Sequence, residues 1–190
     1  MNFRPYVSLD LETTGLDVQA SLPLQIAMVF DDGINPVNRL PIFNILIDNS
    51  NEQYNGKLEH VALRMNMWIF DELIKKEKSE YKILKPEDAR LEVRNFLAKI
   101  FAEQKGEKLI LAGKNVQGFD IQILKNQNYL PNELLKHRVI DIGSLYLPDF
   151  GFVPNTEQLG EKLNMKITHN ALEDAFFVVK AIRMKLGVPL

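Results

Sequence analysis

Val7-Ser-Leu-Asp-Leu-Glu-Thr-Thr-Gly-Leu16 decides how the rest of the chain is read. Val7, Leu9 and Leu11 alternate with Ser8, Asp10 and Glu12, a period of two that predicts a strand with one apolar and one polar face. Side chains two apart on a strand share a face. Asp10 and Glu12 therefore stand side by side, roughly 6–7 Å apart along the strand at about 3.3 Å per residue. Two neighbouring acids repel one another and are costly to bury unpaired. A hard divalent cation such as magnesium, which takes carboxylate oxygens, removes that cost. An edge strand whose polar face meets water removes it as well, and Asp-x-Glu by itself does not separate the two readings. Thr13-Thr-Gly15 then ends the strand in a turn.

Working outward, residues 4–11 are the first strand. Leu24-Gln-Ile-Ala-Met-Val-Phe30 and Ile42-Phe-Asn-Ile-Leu-Ile47 are expected to join it in an antiparallel meander, with Asp31-Asp-Gly33 as a turn. Residues 48–57, rich in Asn, Asp, Ser and Gly, read as a loop. From Lys57 to Lys78 the apolar spacing becomes helical through Leu58, Val61, Ala62, Met65, Trp68 and Ile69, predicting two short helices jointed near Asn66. Met65, Met67, Trp68 and Phe70 suit either a base-stacking platform or ordinary core.

Pro86-Glu-Asp88 opens a helix, since proline at the first position and acids in the first turn suit a helix N-terminus. Its inward stripe is Ala89, Val93, Phe96, Leu97 and Ile100, and Gly106 lies just beyond its end. Lys108-Leu-Ile-Leu-Ala112 is apolar enough to be a central strand. A loop from Gly113 to Phe119 leads to a helix beginning at Asp120. Arg138-Val-Ile-Asp-Ile142 is a fifth strand. Asn155-Thr-Glu-Gln158 forms a capping box for a short helix, and a last helix spans about 171–186 before Gly187-Val-Pro189 stops it.

This order predicts an α/β protein with a mixed sheet. The meander followed by crossovers resembles the ribonuclease H-like layout, with five strands, the second antiparallel to the rest, flanked by helices. At 190 residues with no repeat or linker, residues 1–190 are expected to form a single domain. The chain has no cysteine, which excludes disulfides, thiolate catalysis and cysteine zinc sites and fits a reducing compartment. No stretch of 18 apolar residues and no secretory leader is visible, so a cytoplasmic protein without membrane attachment is expected. The net charge of −2 argues against a broadly basic nucleic-acid-binding surface, but metal ions could supply positive charge locally.

A second acidic point is Asp120, which begins a helix after the central strand. A third is His169-Asn-Ala-Leu-Glu-Asp174. Asn170 is a good N-cap, with Glu173 as its capping-box partner. His169 then takes the position before the cap and Asp174 the fourth position of the helix. These two positions meet at a helix entrance, leaving His169 and Asp174 free to face a site.

Taken together, Asp10 and Glu12 in Asp-x-Glu-Thr-Thr-Gly-Leu, Asp120 in Asn-x-x-x-Phe-Asp, and His169 with Asp174 in His-x-Ala-x-x-Asp resemble the three motifs of the DEDD 3′–5′ exonucleases. The His-x(4)-Asp form marks the histidine-containing subgroup, which includes proofreading subunits of DNA polymerases, RNase T and oligoribonuclease. The resemblance runs from Val7 to about Val179. It implies two magnesium ions, replaceable by manganese, held by Asp10, Glu12, Asp120 and Asp174, with His169 as general base toward a metal-bound water. Histidine suits that role because its ordinary pKa lies near neutrality. The resemblance further implies that Thr13 and Leu16 meet the terminal nucleotide, Leu16 as a wedge or as a cover over the core. Phe119 stacks on a base or packs in the core, and Asn115 braces its loop or touches substrate. Where many relatives carry Gly-His-Asn, this chain has Gly113-Lys-Asn115, and Lys114 either touches a phosphate or is solvated.

The activity so implied is removal of nucleoside 5′-monophosphates from single-stranded DNA or RNA 3′ ends. Two other readings remain open: a non-catalytic nucleic-acid-binding or polymerase accessory module on the same fold, and an oligoribonuclease restricted to very short RNA, for which a homodimer wall could close the groove. The accessory reading is expected to rest on a surface contact and not on a long tail after the last helix. Asp141 reads as a cap or a brace beside the site, His60 and His137 as surface or core-edge residues, and Lys75-Lys-Glu-Lys78 as a solvated helix end.

Overall fold

The computed structural model of the chain describes residues 3–50 and 59–190. The part of the expected loop from residue 51 onward, and Leu58 at the head of the expected helical stretch, lie outside the described residues. The elements in chain order are β1 (Tyr6–Thr13), β2 (Pro23–Asp31), β3 (Ile42–Ile47), α1 (His60–Met65), α2 (Met67–Lys75), β4 (Ile83–Leu84), α3 (Pro86–Glu103), β5 (Leu109–Gly113), α4 (Asp120–Asn126), β6 (Leu135–Asp141), α5 (Ile142–Phe150), α6 (Thr156–Leu163) and α7 (Ala171–Leu186). The sheet order is β4-β3-β2-β1-β5-β6, and β2 alone runs against the other strands.

This is the expected ribonuclease H-like α/β arrangement, with one strand more than the five expected. The addition is β4, two residues that pair parallel to β3 at Leu46↔Ile83 and Ile47↔Leu84. Two residues are too few to show a period. The second unforeseen element is α5. The apolar run through Ile142 reads as continuing the strand, and Pro148 inside the segment argues against a helix. The ends of α5 nevertheless carry strong signals: Asp141 caps it by accepting from Ser144 N at 2.7 Å, and Gly151 closes it in the left-handed conformation at φ +76°.

The period-two pattern of β1 sorts its two faces into two cores. Val7, Leu9 and Leu11 pack with Ala89, Val93, Leu97 and Ile100 of α3 and with Ile121, Ile123 and Leu124 of α4. The other face carries Tyr6, Ser8, Asp10 and Glu12 toward α7, whose Ala171, Ala175, Val178, Ala181 and Ile182 are buried with Ala27, Val29 and Ala112. Each fully buried aliphatic side chain stabilises by roughly 1.5–3 kcal/mol, so both helical layers are firmly held. Two polar pegs fix α7 on the sheet: Ser8 Oγ donates to Ala175 O at 2.9 Å, and Ala171 N donates to Gln25 Oε1 at 3.0 Å. At the far end of the sheet, Arg183 of α7 pairs with Asp31 at 2.6 Å, and Tyr6 donates its hydroxyl to the same carboxylate at 2.7 Å.

The sheet opens beside the acidic pair. β1 pairs with β5 at Val7↔Leu111 and Ser8↔Ala112, and β5 ends at Gly113 while β1 continues to Thr13. Gly113 permits a close crossing, because a Cβ there would lie 2.9 Å from Leu9 O and 2.8 Å from Val116 Cβ. The carboxyl ends of the parallel strands β1, β5 and β6 thus border one cleft, the usual place for a ligand in an open α/β sheet.

Candidate active site

Asp10 and Glu12 reach this cleft from β1. The register between β1 and β2 shifts directly after Glu12, which faces Gln25 before Thr13 slips to Pro23. Such an irregularity commonly re-aims a side chain or ends pairing. Asp120 arrives from the first residue of α4 and takes up the space beside β1 that β5 vacates, where the backbone N–H of Leu11 points at its carboxylate. Asp174 comes from the first turn of α7. Asn170 caps that helix, accepting from Leu172 N at 3.1 Å and more weakly from Glu173 N at 3.4 Å. The expected return bond from Glu173 is not formed, and the cap is Asn170 alone. His169, immediately before the cap, has φ +54°. Few non-glycine residues adopt this backbone conformation, though histidine does so more readily than most.

Asp10, Glu12, Asp120, Asp174 and His169 all line the same cleft of about 420 Å³, within the roughly 300–1,000 Å³ typical of ligand sites. Oxygens of Asp10, Glu12 and Asp174 lie within 4.8 Å of one another. Their electrostatics are unfavourable without a cation. Burial, then the charges of Asp120, Asp174 and Glu12, hold Asp10 well above the usual carboxylate range. Burial, with Asp174 and Asp120 adding to it, pushes Glu12 up to about 7, against the opposing pull of Asn66. Burial also pushes Asp120 up to about 7, although its own N–H and that of Leu11 favour its charge. Asp174 is raised by burial too, while backbone N–H groups of Thr168 and His169 work the other way. Its Oδ1 is buried with no partner among the described residues.

These observations fit a divalent metal. The donors are hard oxygens, they converge, and one of them is an orphaned buried acceptor that coordination would satisfy.

Around the acids, Thr13, Leu16 and Phe119 also line the cleft. Leu16 is 73% exposed, so it does not cover the core. Thr13 is buried and donates its hydroxyl to Gly15 O at 2.8 Å, shaping the turn. Phe119 is half-buried against the core and also lines the cleft. Asn115 is not among the lining residues. It stands at φ +54°, and its N–H donates to Asp141 Oδ2 at 2.6 Å, so it shapes the loop. Asp141 spends one oxygen on Asn115 and the other on Ser144, the brace expected of it. His60 and His137 are exposed. The aromatic and methionine cluster divides. Met65 joins Val61 and Ala62 on the cleft wall, and Trp68 and Phe70 pack with Leu24, Leu46 and Ile69.

Three lining or bracing residues escaped the sequence reading. Asn66, 2% exposed at the joint of α1 and α2, donates Nδ2 to Thr13 O at 3.0 Å. Glu59 accepts from Leu16 N at 3.0 Å, tying down the turn after β1. Gln25, fully buried within an apolar strand, holds the start of α7. A lone amide inside an otherwise apolar stretch was the available signal for Gln25.

Neither a family model nor any curated protein matches the sequence. Solved structures do match the fold. The chain is similar to cell-death related nuclease 4, with a TM-score of 0.64 and 13% identity over 97% of this chain and 64% of that one. It is similar to exonuclease I from Methylocaldum szegediense, with a TM-score of 0.60 and 18% identity over 95% of this chain and 40% of that one. It is also similar to E. coli exonuclease I in complex with a 5cy-dT13 oligonucleotide, with a TM-score of 0.57 and 13% identity over 95% and 40%. The shared feature is the fold. This chain spans 40% to 64% of the length of these proteins. No helix among the described residues is long and apolar enough to cross a membrane.

Proposed function

We propose that this chain is a metal-dependent 3′–5′ exonuclease of the histidine-containing DEDD type, acting as one domain on single-stranded nucleic acid. The observation that carries the reading is the convergence of Asp10, Glu12, Asp120, Asp174 and His169, from three separated stretches of sequence, on one cleft. The likeness to exonuclease I in complex with an oligonucleotide lends weight to single-stranded DNA as the first substrate to try.

Each residue has a physical task. Asp10, Glu12, Asp120 and Asp174 would hold two magnesium ions, with manganese as a substitute. Bound there, the ions supply positive charge to the attacking, nonbridging and leaving oxygens of the phosphodiester. His169 accepts the proton of the attacking water at a ring nitrogen. Its exposed position at the cleft mouth lets it reach that water once substrate phosphate is in place. Leu16 stands against the terminal base, and the turn held by Thr13 and Glu59 keeps it there. The turn also limits how far the strand can enter, so cleavage starts from the end.

A 5′-labelled single-stranded oligonucleotide tests this. With magnesium or manganese it should shorten stepwise and release nucleoside 5′-monophosphates, and a chelator should stop the reaction. Internal cuts from the outset, or intact DNA and RNA under both metals, would overturn the reading.

A further inference from the structure

Lys114 is the one ammonium among the described residues lining the cleft, and six carboxylates line it as well: Asp10, Glu12, Glu59, Asp120, Glu157 and Asp174. In the sheet, β2 and β5 lie on opposite sides of β1, the strand that carries Asp10 and Glu12. Leu16, Glu59 and Asn66 line the cleft on the β2 side, where α2 packs against β2 and β3. Lys114, directly after β5, and Ile142, directly after β6, line it on the other.

Lys114 is not a loosely solvated side chain. It is partly buried and lies over the bare Cα of Gly143. A Cβ on Gly143 would come within 2.9 Å of Lys114 Nζ and 3.0 Å of its Cε. Among the described residues no carboxylate forms an ion pair with it. The acid it most nearly serves, Asp141, already accepts from Ser144 N at 2.7 Å and Asn115 N at 2.6 Å. Among the described residues the ammonium thus lines the acidic cleft without an ion pair, Asp141 feeling its charge without being bonded to it.

Building on the proposed exonuclease function, we propose that Lys114 binds the phosphate immediately upstream of the scissile one, with the bare face of Gly143 as the floor that holds its side chain over the cleft. A strand whose terminal base lies against Leu16 must pass its scissile phosphate across the acids and then leave over the far wall. The first phosphate there meets Lys114. A compact ammonium suits a single phosphate as a point charge. The contact favours strands over mononucleotide esters, which have no second phosphate.

The test compares two substrates in magnesium: a 5′-fluorescein deoxyoligonucleotide, and the nitrophenyl ester of thymidine 5′-monophosphate, which carries a scissile diester and nothing upstream. The ratio of kcat/KM for the oligonucleotide to that for the ester should fall about tenfold in Lys114→Ala, through KM, as for loss of one charged hydrogen bond. The slope of log kcat/KM against log salt should flatten by roughly 0.7, the share of one phosphate in a single strand. Gly143→Ala, whose Cβ would meet Lys114 Nζ and Val153 Cγ1 at 2.9 Å each, should move both quantities in the same direction with Lys114 intact. The substitution suits a helix interior, and Lys114→Ala carries the test alone if Gly143→Ala melts early. A neutral methylphosphonate at the upstream linkage should cost the wild type the same factor and Lys114→Ala nothing more. An unaltered ratio in Lys114→Ala, or equal sensitivity of wild type and variant to the neutral linkage, would overturn the proposal. If the wild type cuts neither these substrates nor their ribonucleotide counterparts with magnesium or manganese, the exonuclease reading itself falls. If it cuts both and the variant keeps the wild-type ratio, only the role of Lys114 falls.

Discussion

The side chain of Gln25 accepts the backbone N–H of Ala171 at 3.0 Å, joining the strand beside Glu12 to the helix that carries Asp174. Gln25 is fully buried, and its amide nitrogen is spent on Asn44 Oδ1 at 2.9 Å, so the carbonyl is fixed in direction. Gln25→Leu leaves the Ala171 N–H buried without a partner, which costs about 1–3 kcal/mol. It also frees the first turn of α7. Thermal melts should show the lower stability. Kinetics should show kcat falling by about tenfold or more, as a displacement of about 1 Å in a catalytic group can do. A variant that melts lower yet keeps wild-type kcat would mean that Gln25 has no part in placing His169 and Asp174.

The opposite end of α7 is held by a buried ion pair, and there stability and activity should separate. Arg183 and Asp31 are 1% and 0% exposed, 2.6 Å apart, with Tyr6 donating to the same carboxylate. Removing one partner strands a buried charge, which costs roughly 3–5 kcal/mol. Arg183→Met should lose that amount in a urea titration. At temperatures where the variant stays folded, its kcat should stay near wild type, because the pair lies at the far end of the sheet from the cleft. A selective loss of kcat without loss of stability would show a coupling to the site that the structure does not explain.

The acidic cluster makes stability depend on pH in a definite direction. Glu12 and Asp120 are pushed up to about 7 by burial, from an ordinary carboxylate range near 4. For an acid raised in the folded state, the stability contributed is fully present below the unfolded value. It is lost as pH rises through the folded one. The metal-free protein should therefore melt at lower temperature at about pH 8 than at about pH 5.5, and magnesium should raise Tm more at the higher pH. Calorimetric scans with and without a chelator would check this. A magnesium effect that shrinks as pH rises would contradict it.

His169 is expected to act in turnover and not in holding metal. It lines the cleft as an exposed side chain just ahead of α7. His169→Ala should cut kcat by roughly 10²–10⁴, the usual share of a general base, with manganese affinity close to wild type. Loss of manganese affinity in a binding titration would make His169 a ligand instead.

Much of this was legible in the sequence, for reasons that differ by residue. Asp10 and Glu12 could be placed together because alternation fixes the face of a strand, and Ser8, Asp10 and Glu12 do share one. Asp120 and Asp174 could be placed because helix starts carry local signals, the latter through Asn170. Local signals miss what depends on packing. The bond between Gln25 and Ala171 spans 146 residues, and the lone amide in its apolar strand signals Gln25 but not its partner. Asn66 earns its importance from its place against Thr13, again a contact between distant segments. β4 is too short to carry a period. α5 was hidden by Pro148 and by the apolar run into Ile142, although Asp141 and Gly151 bracket it with a cap and a stop. For Lys114 the sequence leaves phosphate contact and solvation both open, and only the bare surface of Gly143 beneath it shows where the ammonium is held.

The most direct measurement is the single-turnover rate of 3′-end shortening in magnesium for the wild type and for Asp174→Asn, a change of nearly equal shape that removes one charge from the cleft. The wild type should remove nucleotides stepwise. The variant should be slower by on the order of 10³, several kcal/mol of lost charge stabilisation, while its melting temperature without metal holds or rises. Equal rates in the two proteins would contradict the claim that these carboxylates together drive the cleavage.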